Sequence, residues 1–482
     1  MKRNLVLVQP VASFENDFPV LPQDAVGIGM LTIISYVGKF GYSGEIVHIP
    51  NALSQGLSLS SIIAHIRDCD PDVIGIGLNW LHFSKGALEA AKIFRQSFPN
   101  KVIVIGGQHA TLFVKSIVLS CPDITGITIG ESEITYCKLL DAVTMNLPIE
   151  SVPGLAFIDN HGYHESSPII VEDLDTIPFY SYRNIWPETK TECAALDTVR
   201  GTCPKNCPYC IESKTNTLQG RMRFSHHSPE YLARQIEVFV SDGISSVTIQ
   251  DPVTLLGETF LTRVCEAILD HKIKLTLLNL FVEPHLFSND FFTLLCNCAD
   301  RVVLDYGIES GSYDVLRLSD RLFSKELLLE NFKQAIASGI KILTWWMVGM
   351  PGETKETIDE TFQFMAQTVH AGALPRWVTP LILFPQTDMA NDADKYGITN
   401  IYKSFDDYSN FSDERANKYG IYEELITHTP KGLNTTEIIE LTISLKKGIQ
   451  FLLTKNMESL IKLGWDRDFI CSILTEVGGS FF

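Results

Sequence analysis

The sequence predicts an α/β protein with two sheets in series. An N-terminal doubly wound, Rossmann-like sheet is followed by a partial (β/α)6 barrel of the TIM type and a mainly helical C-terminal extension. Three observations predict this. Short apolar runs alternate with amphipathic, helix-length stretches over residues 1–145, and do so again over residues 191–400. Polar or glycine-bearing loops follow four runs of the first set. A cysteine-rich loop, Cys203-Pro-Lys-Asn-Cys207-Pro-Tyr-Cys210, follows the first run of the second.

Size and composition agree with that division. A chain of 482 residues exceeds one ordinary core, and 45% hydrophobic with 20% charged residues is a globular balance. No uninterrupted apolar run reaches the ~18–20 residues of a membrane span. The start, Met1-Lys-Arg-Asn, is basic, but the apolar stretch behind it is only residues 5–8, shorter than the ~7–15 of a signal-peptide core. It reads as a strand, and a cytoplasmic protein is expected. A net charge of −18 argues against nucleic acid or a membrane surface as partner, because both select clustered Lys and Arg. Eleven cysteines, an odd number, do not suggest a disulfide framework. Cys69, Cys121, Cys137, Cys265, Cys296, Cys298 and Cys471 read as small buried hydrophobes; the Cys296-x-Cys298 pair is a weak metal motif.

In the first part, residues 5–8 form a strand, and Ile28, Leu31, Ile34 and Val37 mark a helix face ending near Gly41. A second strand at 45–49 and a helix at 57–67 follow, the helix broken by Asp70-Pro71-Asp72. Residues 73–77 are a buried strand, Ser84 caps a helix carrying Leu88, Ala91 and Phe94, and strands follow at 101–105 and 126–129. Ligands of such sheets bind outside the carboxyl ends of the strands. The loops there carry Gln9-Pro10, Asn79-Trp80, Gly106-Gly107-Gln108-His109-Ala110-Thr111 and Gly130-Glu131-Ser132-Glu133. Residues 146–190 read as a connector, with a strand–turn–strand at 153–162 and a proline-bounded segment ending at Pro178.

The second part opens with a strand at 192–198 running into the cysteine loop. Further strands are expected at 246–250, 274–279, 302–308, 341–348 and 377–383, and helices at 229–240, 261–269, 287–296, 325–337 and 355–369. Six such units make an open barrel with its chemistry at the carboxyl ends of the strands, where the cysteines fall. Three thiolates are one fewer than a [4Fe–4S] cluster has irons, so one iron is left for a ligand from outside the protein. The alternative is a structural zinc completed by His226 or His227. Arg221 and Arg223 either balance charge near the cysteines or lie on the surface. Trp345 and Trp346 are neighbours on one strand and point to opposite faces, so one should face the interior, either to pack on a substrate or as a large core residue. Residues 402–408 read as a loop, and Asn434-x-x-Glu437 as a capping box before a helix whose face carries Ile438, Leu441, Leu445, Ile449 and Leu452.

Gly-Gly-x-His-Ala-Thr followed by Gly-Glu-x-Glu resembles the cobalamin-binding domain found in front of radical S-adenosylmethionine enzymes, over residues 1–145. Cys203, Cys207 and Cys210, with Tyr209 before the last, resemble the signature of the radical enzymes themselves, and the likeness extends over most of 190–400. The resemblance implies a [4Fe–4S] cluster on the three cysteines, S-adenosylmethionine on its open iron, and cobalamin bound base-off, since Gln9-Pro-Val-Ala-Ser-Phe14 offers no histidine to cobalt. It implies cobalamin contacts from Gln9, Asn79, Trp80, Gly106, Gly107, Gln108, His109, Gly130 and Glu131. For S-adenosylmethionine it implies Tyr209, Gln250, Asp251, Glu309, Ser310, Val348 and Met350; Asp251 reads equally well as a turn cap. The sixth strand of the family usually ends Pro-Gly-Thr, and here Gln386 replaces the glycine, so that turn is expected to differ. The activity implied is methyl transfer from methylcobalamin to an unactivated carbon after hydrogen abstraction by a 5′-deoxyadenosyl radical. A non-methylating rearrangement or cyclisation, or a non-catalytic corrinoid-binding protein, are the alternatives. Implied partners are a small-molecule or peptide substrate and an electron donor such as flavodoxin or ferredoxin.

Overall fold

The computed structural model describes residues 3–14, 26–188, 191–212, 214, 218, 220–409, 421 and 423–478. The first sheet contains β1 (Leu5–Gln9), β2 (Gly44–His48), β3 (Val73–Gly77), β4 (Val102–Gly106) and β5 (Gly126–Thr128), all parallel, in the order 5-4-3-1-2. Alternation along these strands sends Leu5, Leu7, Val73 and Val104 into one core and Val6, Val8, Ile74, Ile76, Ile103 and Ile105 into another. Both faces are therefore covered, as a parallel sheet requires. The order reverses between β1 and β3, which places Gln9 and Leu78-Asn79 at the switch point where doubly wound sheets bind ligands.

The connector does more than connect. β6 (Leu155–Asp159) and β7 (Gly162–Glu165) form the expected hairpin and add antiparallel to β5, while β8 (Ile185–Trp186) adds parallel to β2 at the opposite edge. The first sheet is thus closed at both edges by residues beyond 145.

The second sheet contains β9 (Ala194–Ala195), β12 (Ser246–Ile249), β13 (Leu277–Val282), β14 (Val302–Glu309), β15 (Lys341–Val348) and β16 (Leu374–Pro380). All are parallel and run in sequence order, the open six-stranded barrel that was expected. Between β9 and β12, a two-stranded ribbon of β10 (Val199–Arg200) and β11 (Ser225–His226) brackets the cysteine loop.

Local differences have local causes. Ser84 is the first residue of the helix Ser84–Ser97, not its cap; Phe83 is the N-cap, and the Ser84 hydroxyl is buried without a partner. β13 starts three residues later than expected, and β16 ends at Pro380, which supplies no N–H to continue a ladder. Residues 402–408 do not form a simple loop: Phe405–Ser409 is a short helix packed on the first sheet's loops. The capping box forms, with Asn434 and Glu437 exchanging hydrogen bonds of 3.0 Å at the head of the helix Thr435–Lys462. Ile438, Leu445, Ile449 and Leu452 are buried along that helix, while Leu441 is partly so. Among the described residues, no helix is long and apolar enough to cross a membrane.

Candidate active site

The cysteine loop is shaped by its backbone. Gly201 (φ 101°) passes so close to Arg223 that a Cβ would stand 1.9 Å from its carbonyl oxygen. Asn206 takes a left-handed conformation (φ 46°), and turns close between Asn206 and Cys203 (3.2 Å) and between Cys210 and Cys207 (3.0 Å). The three sulfurs do not all lie within 4.8 Å of one another, as ligands sharing a single ion would. That arrangement does not support the zinc alternative. His227 is accounted for elsewhere, between Asp175 (3.3 Å) and Asp197 (3.8 Å). Cys296 and Cys298 turn their thiols to the carbonyls of Ser338 and of Cys265 and Leu294.

Burial raises all three thiols, pushing Cys210 up to about 12, and the nearby Arg321 opposes the rise at Cys207. The Arg321 guanidinium lies 3.9 Å from the Cys207 sulfur and is buried. It also binds Glu283 (3.0 Å), Glu309 (3.3 Å) and the carbonyl of Gly307 (2.7 Å). Glu309 ends β14 with φ 66°, beside a register shift between Gly307 and Glu309. That twist aims its carboxylate along the strand end, where it meets Tyr209 Oη at 3.5 Å. Desolvation raises the Glu309 carboxyl and Arg321 counteracts it. A buried carboxylate held by one arginine is suited to accept hydrogen bonds from a ligand's hydroxyl or ammonium groups.

The other expected cofactor contacts divide into two groups. At the end of β15, Val348, Gly349 (φ 88°) and the buried Met350 turn sharply, with the Gly349 carbonyl 2.8 Å from His428 Nε2 and its N–H donating to Glu353. Met350 packs with Tyr209, Leu381 and Leu383. Gln250 is exposed at the end of β12. Ser310 is fully buried and bonds Thr361 (3.1 Å) and the N–H of Ser312 (3.1 Å), so it holds the turn. Asp251 accepts from Thr198 N (2.7 Å), Thr198 Oγ1 (2.9 Å) and Val199 N (3.4 Å), clamping the strand that leads to the cysteines. Gln386 has a φ of 70°, in the left-handed region that favours glycine.

The first sheet turns its loops toward this site. Burial raises the carboxyl of Glu212, two residues after Cys210, and the neighbouring Gln108 side chain counteracts the rise. His109 is caged by Phe113, by Phe384 of the barrel and by Phe405 and Tyr408 beyond it, and among the described residues neither ring nitrogen has a hydrogen-bond partner. Glu131 pairs with Arg221, which is 1% exposed, and with Arg200 (3.3 Å), which also binds Glu133 (2.9 Å) and Asp197 (2.7 Å). Arg221 is thus an interdomain anchor, not a surface residue. Gly106 and Gly107 give the loops room: a Cβ on Gly107 (φ 122°) would strike Asn79 Oδ1 at 2.5 Å and the Leu78 carbonyl oxygen at 2.6 Å. Trp80 stands 52% exposed beside them, Gln9 is buried at the switch point, and Gly130 (φ 67°) donates to Thr111 Oγ1 (3.0 Å). A glycine floor with an exposed indole at its rim fits a broad flat ligand.

The radical SAM superfamily profile matches residues 199–365. Residues 199–365 thus carry a radical SAM domain. An uncharacterized methyltransferase of Pyrococcus horikoshii is 26% identical over 342 residues, covering 69% of this chain and 72% of its own. Cytidylyl-2-hydroxyethylphosphonate methyltransferase of Streptomyces wedmorensis is 24% identical, covering 74% and 75%. An anaerobic magnesium-protoporphyrin IX monomethyl ester cyclase of Cereibacter sphaeroides is 24% identical over 67% of this chain and 54% of its own. Among solved structures, the radical S-adenosylmethionine methyltransferase TsrM of Kitasatospora setae, with cobalamin and a [4Fe–4S] cluster bound, superimposes with a TM-score of 0.68 at 15% identity, over 94% of this chain and 89% of that one. The two share their fold from the first sheet to the C-terminal helices.

Inside the radical SAM barrel, Thr248, Asn279, Asp305 and Trp345 form one hydrogen-bonded row. Asn279 donates to Thr248 (3.3 Å) and Asp305 (3.3 Å), and Trp345 Nε1 donates to Asp305 (2.8 Å). Trp345 also packs on Phe281 and stacks on Trp377. Trp346 points the other way, 1% exposed against Phe364 of the helix Lys355–His370. Of the two tryptophans, only Trp345 lines the interior. Glu283, Glu212, Asp305 and Arg321 escaped the sequence reading. Glu283 follows β13 directly, so a correctly placed third strand would have flagged it; nothing in the sequence marks Arg321.

Proposed function

We propose that the chain is a cobalamin-dependent radical SAM methyltransferase that moves a methyl group to an unactivated carbon of a small molecule. One observation supports this most: the cysteine loop and the strand-end loops of the first sheet face each other, joined by the Glu131–Arg221 pair. A cofactor held by the first sheet would therefore face the cysteine loop of the barrel. When bound, the cluster with S-adenosylmethionine supplies hydrogen abstraction, and the corrinoid supplies the methyl group.

The protein's own part is positioning and exclusion of water. Cys203, Cys207 and Cys210 hold three irons. Arg321 balances negative charge beside Cys207. Glu309 accepts hydrogen bonds from the nucleoside or amino-acid part of S-adenosylmethionine, and the Val348–Met350 turn lies against its base. Asp251 and Ser310 act at one remove, by holding the segments that carry these groups. Gln9, Asn79, Trp80 and Gly106–His109 frame the corrinoid, while Glu131 serves the joint between the two parts. Asn79, Trp80 and Gln108 are the candidates that would approach the cobalt of a bound corrinoid. We assign residues 1–145 to the cobalamin domain with 146–190 completing its sheet, 191–400 to the barrel and 401–482 to an extension. Trp345 marks the substrate side of the barrel; in one solved neighbour of the same fold the substrate is tryptophan. Electrons come from an external donor of the flavodoxin or ferredoxin type.

The cyclase relative favours a second reading, in which both cofactors serve a reaction without methyl transfer. Product analysis of the reduced holoenzyme separates them. Methyl transfer yields S-adenosylhomocysteine alongside 5′-deoxyadenosine and a substrate heavier by one methylene. The second reading yields 5′-deoxyadenosine without S-adenosylhomocysteine.

A further inference from the structure

A second group of metal-ligating side chains lies away from both cofactor sites. Glu45 is the second residue of β2, and His65 and Cys69 are four residues apart on the helix Leu59–Cys69, hence on one face. Both positions fall toward the amino ends of the strands, opposite Gln9, Asn79 and Gly107. His65 Nε2 lies 2.6 Å from Glu45 Oε2, Cys69 Sγ lies 3.5 Å from the same oxygen, and Cys69 Sγ lies 3.7 Å from His65 Nε2. Among the described residues this is the one group of three or more such donors close enough to share an ion.

We propose that Glu45, His65 and Cys69 bind a zinc ion, with water as the fourth ligand. A tetrahedral zinc bonds sulfur at about 2.3 Å and nitrogen or oxygen at about 2.0–2.1 Å, which sets sulfur about 3.5 Å from each light donor and the light donors about 3.3 Å apart. Two of the three separations already match. The third, the His65–Glu45 hydrogen bond, opens by about 0.7 Å when the ion replaces the shared proton. The donor set selects the metal: thiolate with imidazole and carboxylate suits zinc, whereas calcium and magnesium take oxygen ligands. Binding is a proton-for-metal exchange. The Cys69 thiol gives up its proton to water, His65 binds as the neutral imidazole through Nε2 with its ring proton on Nδ1, Glu45 binds as carboxylate, and no group changes oxidation state.

The surroundings favour a built site. The His65 ring is clamped against Trp186 of β8, with centroids 3.8 Å apart and planes 6° from parallel, which fixes the direction of Nε2. Arg3 approaches the other oxygen of Glu45 (3.8 Å) and leaves Oε2 to the ion. The side chains of His65 and Glu45 are 24% and 14% exposed, so the ion has a way in. Zinc there would tie β2, the helix Leu59–Cys69 and the connector strand β8 together at the sheet edge farthest from the hairpin.

The test uses full-length protein with its iron–sulfur cluster already assembled, so that Cys203, Cys207 and Cys210 are occupied. After equilibration with zinc sulfate and desalting, zinc and iron are counted by mass spectrometry, and the zinc K-edge is read for its ligands. The expected result is about one zinc per chain, iron unchanged, and one sulfur among about four ligands. His65→Ala and Cys69→Ser should each weaken retention more than about 100-fold, since losing even an outer partner of a ligand costs about 10–100-fold. Should Cys69→Ser fail to fold, His65→Ala and the wild-type spectrum still decide. Wild-type protein that keeps no zinc, zinc retained equally by His65→Ala, or a zinc edge showing several sulfurs with loss of iron would each overturn the proposal.

Discussion

The two faces that meet at the centre of this molecule use their motif residues differently. On the barrel side the cysteine sulfurs are not placed to share one ion, and the Glu309 carboxylate is answered by the buried Arg321, while Asp251 and Ser310 hold the segments that carry them. On the sheet side several are engaged by the protein itself. Glu131 is taken by Arg221 and Arg200, and the flanking glycines by the close approach of neighbouring loops. A sequence motif at a cofactor site can therefore record either a ligand or the joint that positions it. Burial and partners tell the two apart where spacing does not.

The comparison can be broken most decisively at the cysteines. Cys207→Ala should abolish the visible absorbance of a reconstituted cluster while leaving the far-ultraviolet dichroism intact; an unchanged spectrum would remove the barrel side of the account. On the sheet side, Arg221→Ala leaves Glu131 buried without its main partner, which should cost about 3–5 kcal/mol of stability, read by urea unfolding. A loss below about 1 kcal/mol would mean that the joint is not anchored there.

The tryptophans sharpen the same distinction. Trp346→Ala removes a fully buried ring and should destabilise by about 3–5 kcal/mol. Trp345→Ala should unfold less readily than that and instead weaken turnover. Equal stability losses for both would place Trp345 in ordinary core.

Acid should loosen the joint. Burial lowers His109 to about 3 and His82 and His428 to about 4, well below the ordinary 6.5. The unfolded chain then binds protons that the folded chain refuses, so stability is full above pH 6.5 and falls as pH drops from there toward 4. Each histidine contributes up to about 1.4 kcal/mol per pH unit in that window. Replacing His109 by Gln should flatten the slope of the unfolding midpoint against pH; a slope unchanged would deny that His109 stays neutral in its aromatic cage. The smallest effect is expected at Gln386, where Gln386→Gly relieves a left-handed conformation and should stabilise by about 1 kcal/mol or less.

Legibility followed local punctuation. The strand at 341–348 and the helix at 325–337 were placed to the residue because Ser324, Gly339 and Gly349 mark their ends. The run from Lys274 to Val282 has no such mark, so β13 was set three residues early and Glu283 went unnoticed. Cys203, Cys207 and Cys210 were readable because their chemistry is local to one loop. The pairs Glu131–Arg221 and Arg321–Cys207 join residues far apart in sequence, and no periodicity reports such contacts. Residues 410–420 of the C-terminal extension lie outside the described residues, so that part of the expectation has no counterpart here.

The central claim is that cluster and corrinoid are held by separate faces of one shared site. Anaerobic reconstitution with iron, sulfide and hydroxocobalamin, followed by desalting and metal counting, tests it in the wild type and in the Cys203→Ala/Cys207→Ala/Cys210→Ala variant. The account predicts about four irons and about one cobalt per chain in the wild type, with iron lost and cobalt kept in the variant. A wild type that retains no cobalt, or a variant that retains its iron, would contradict it.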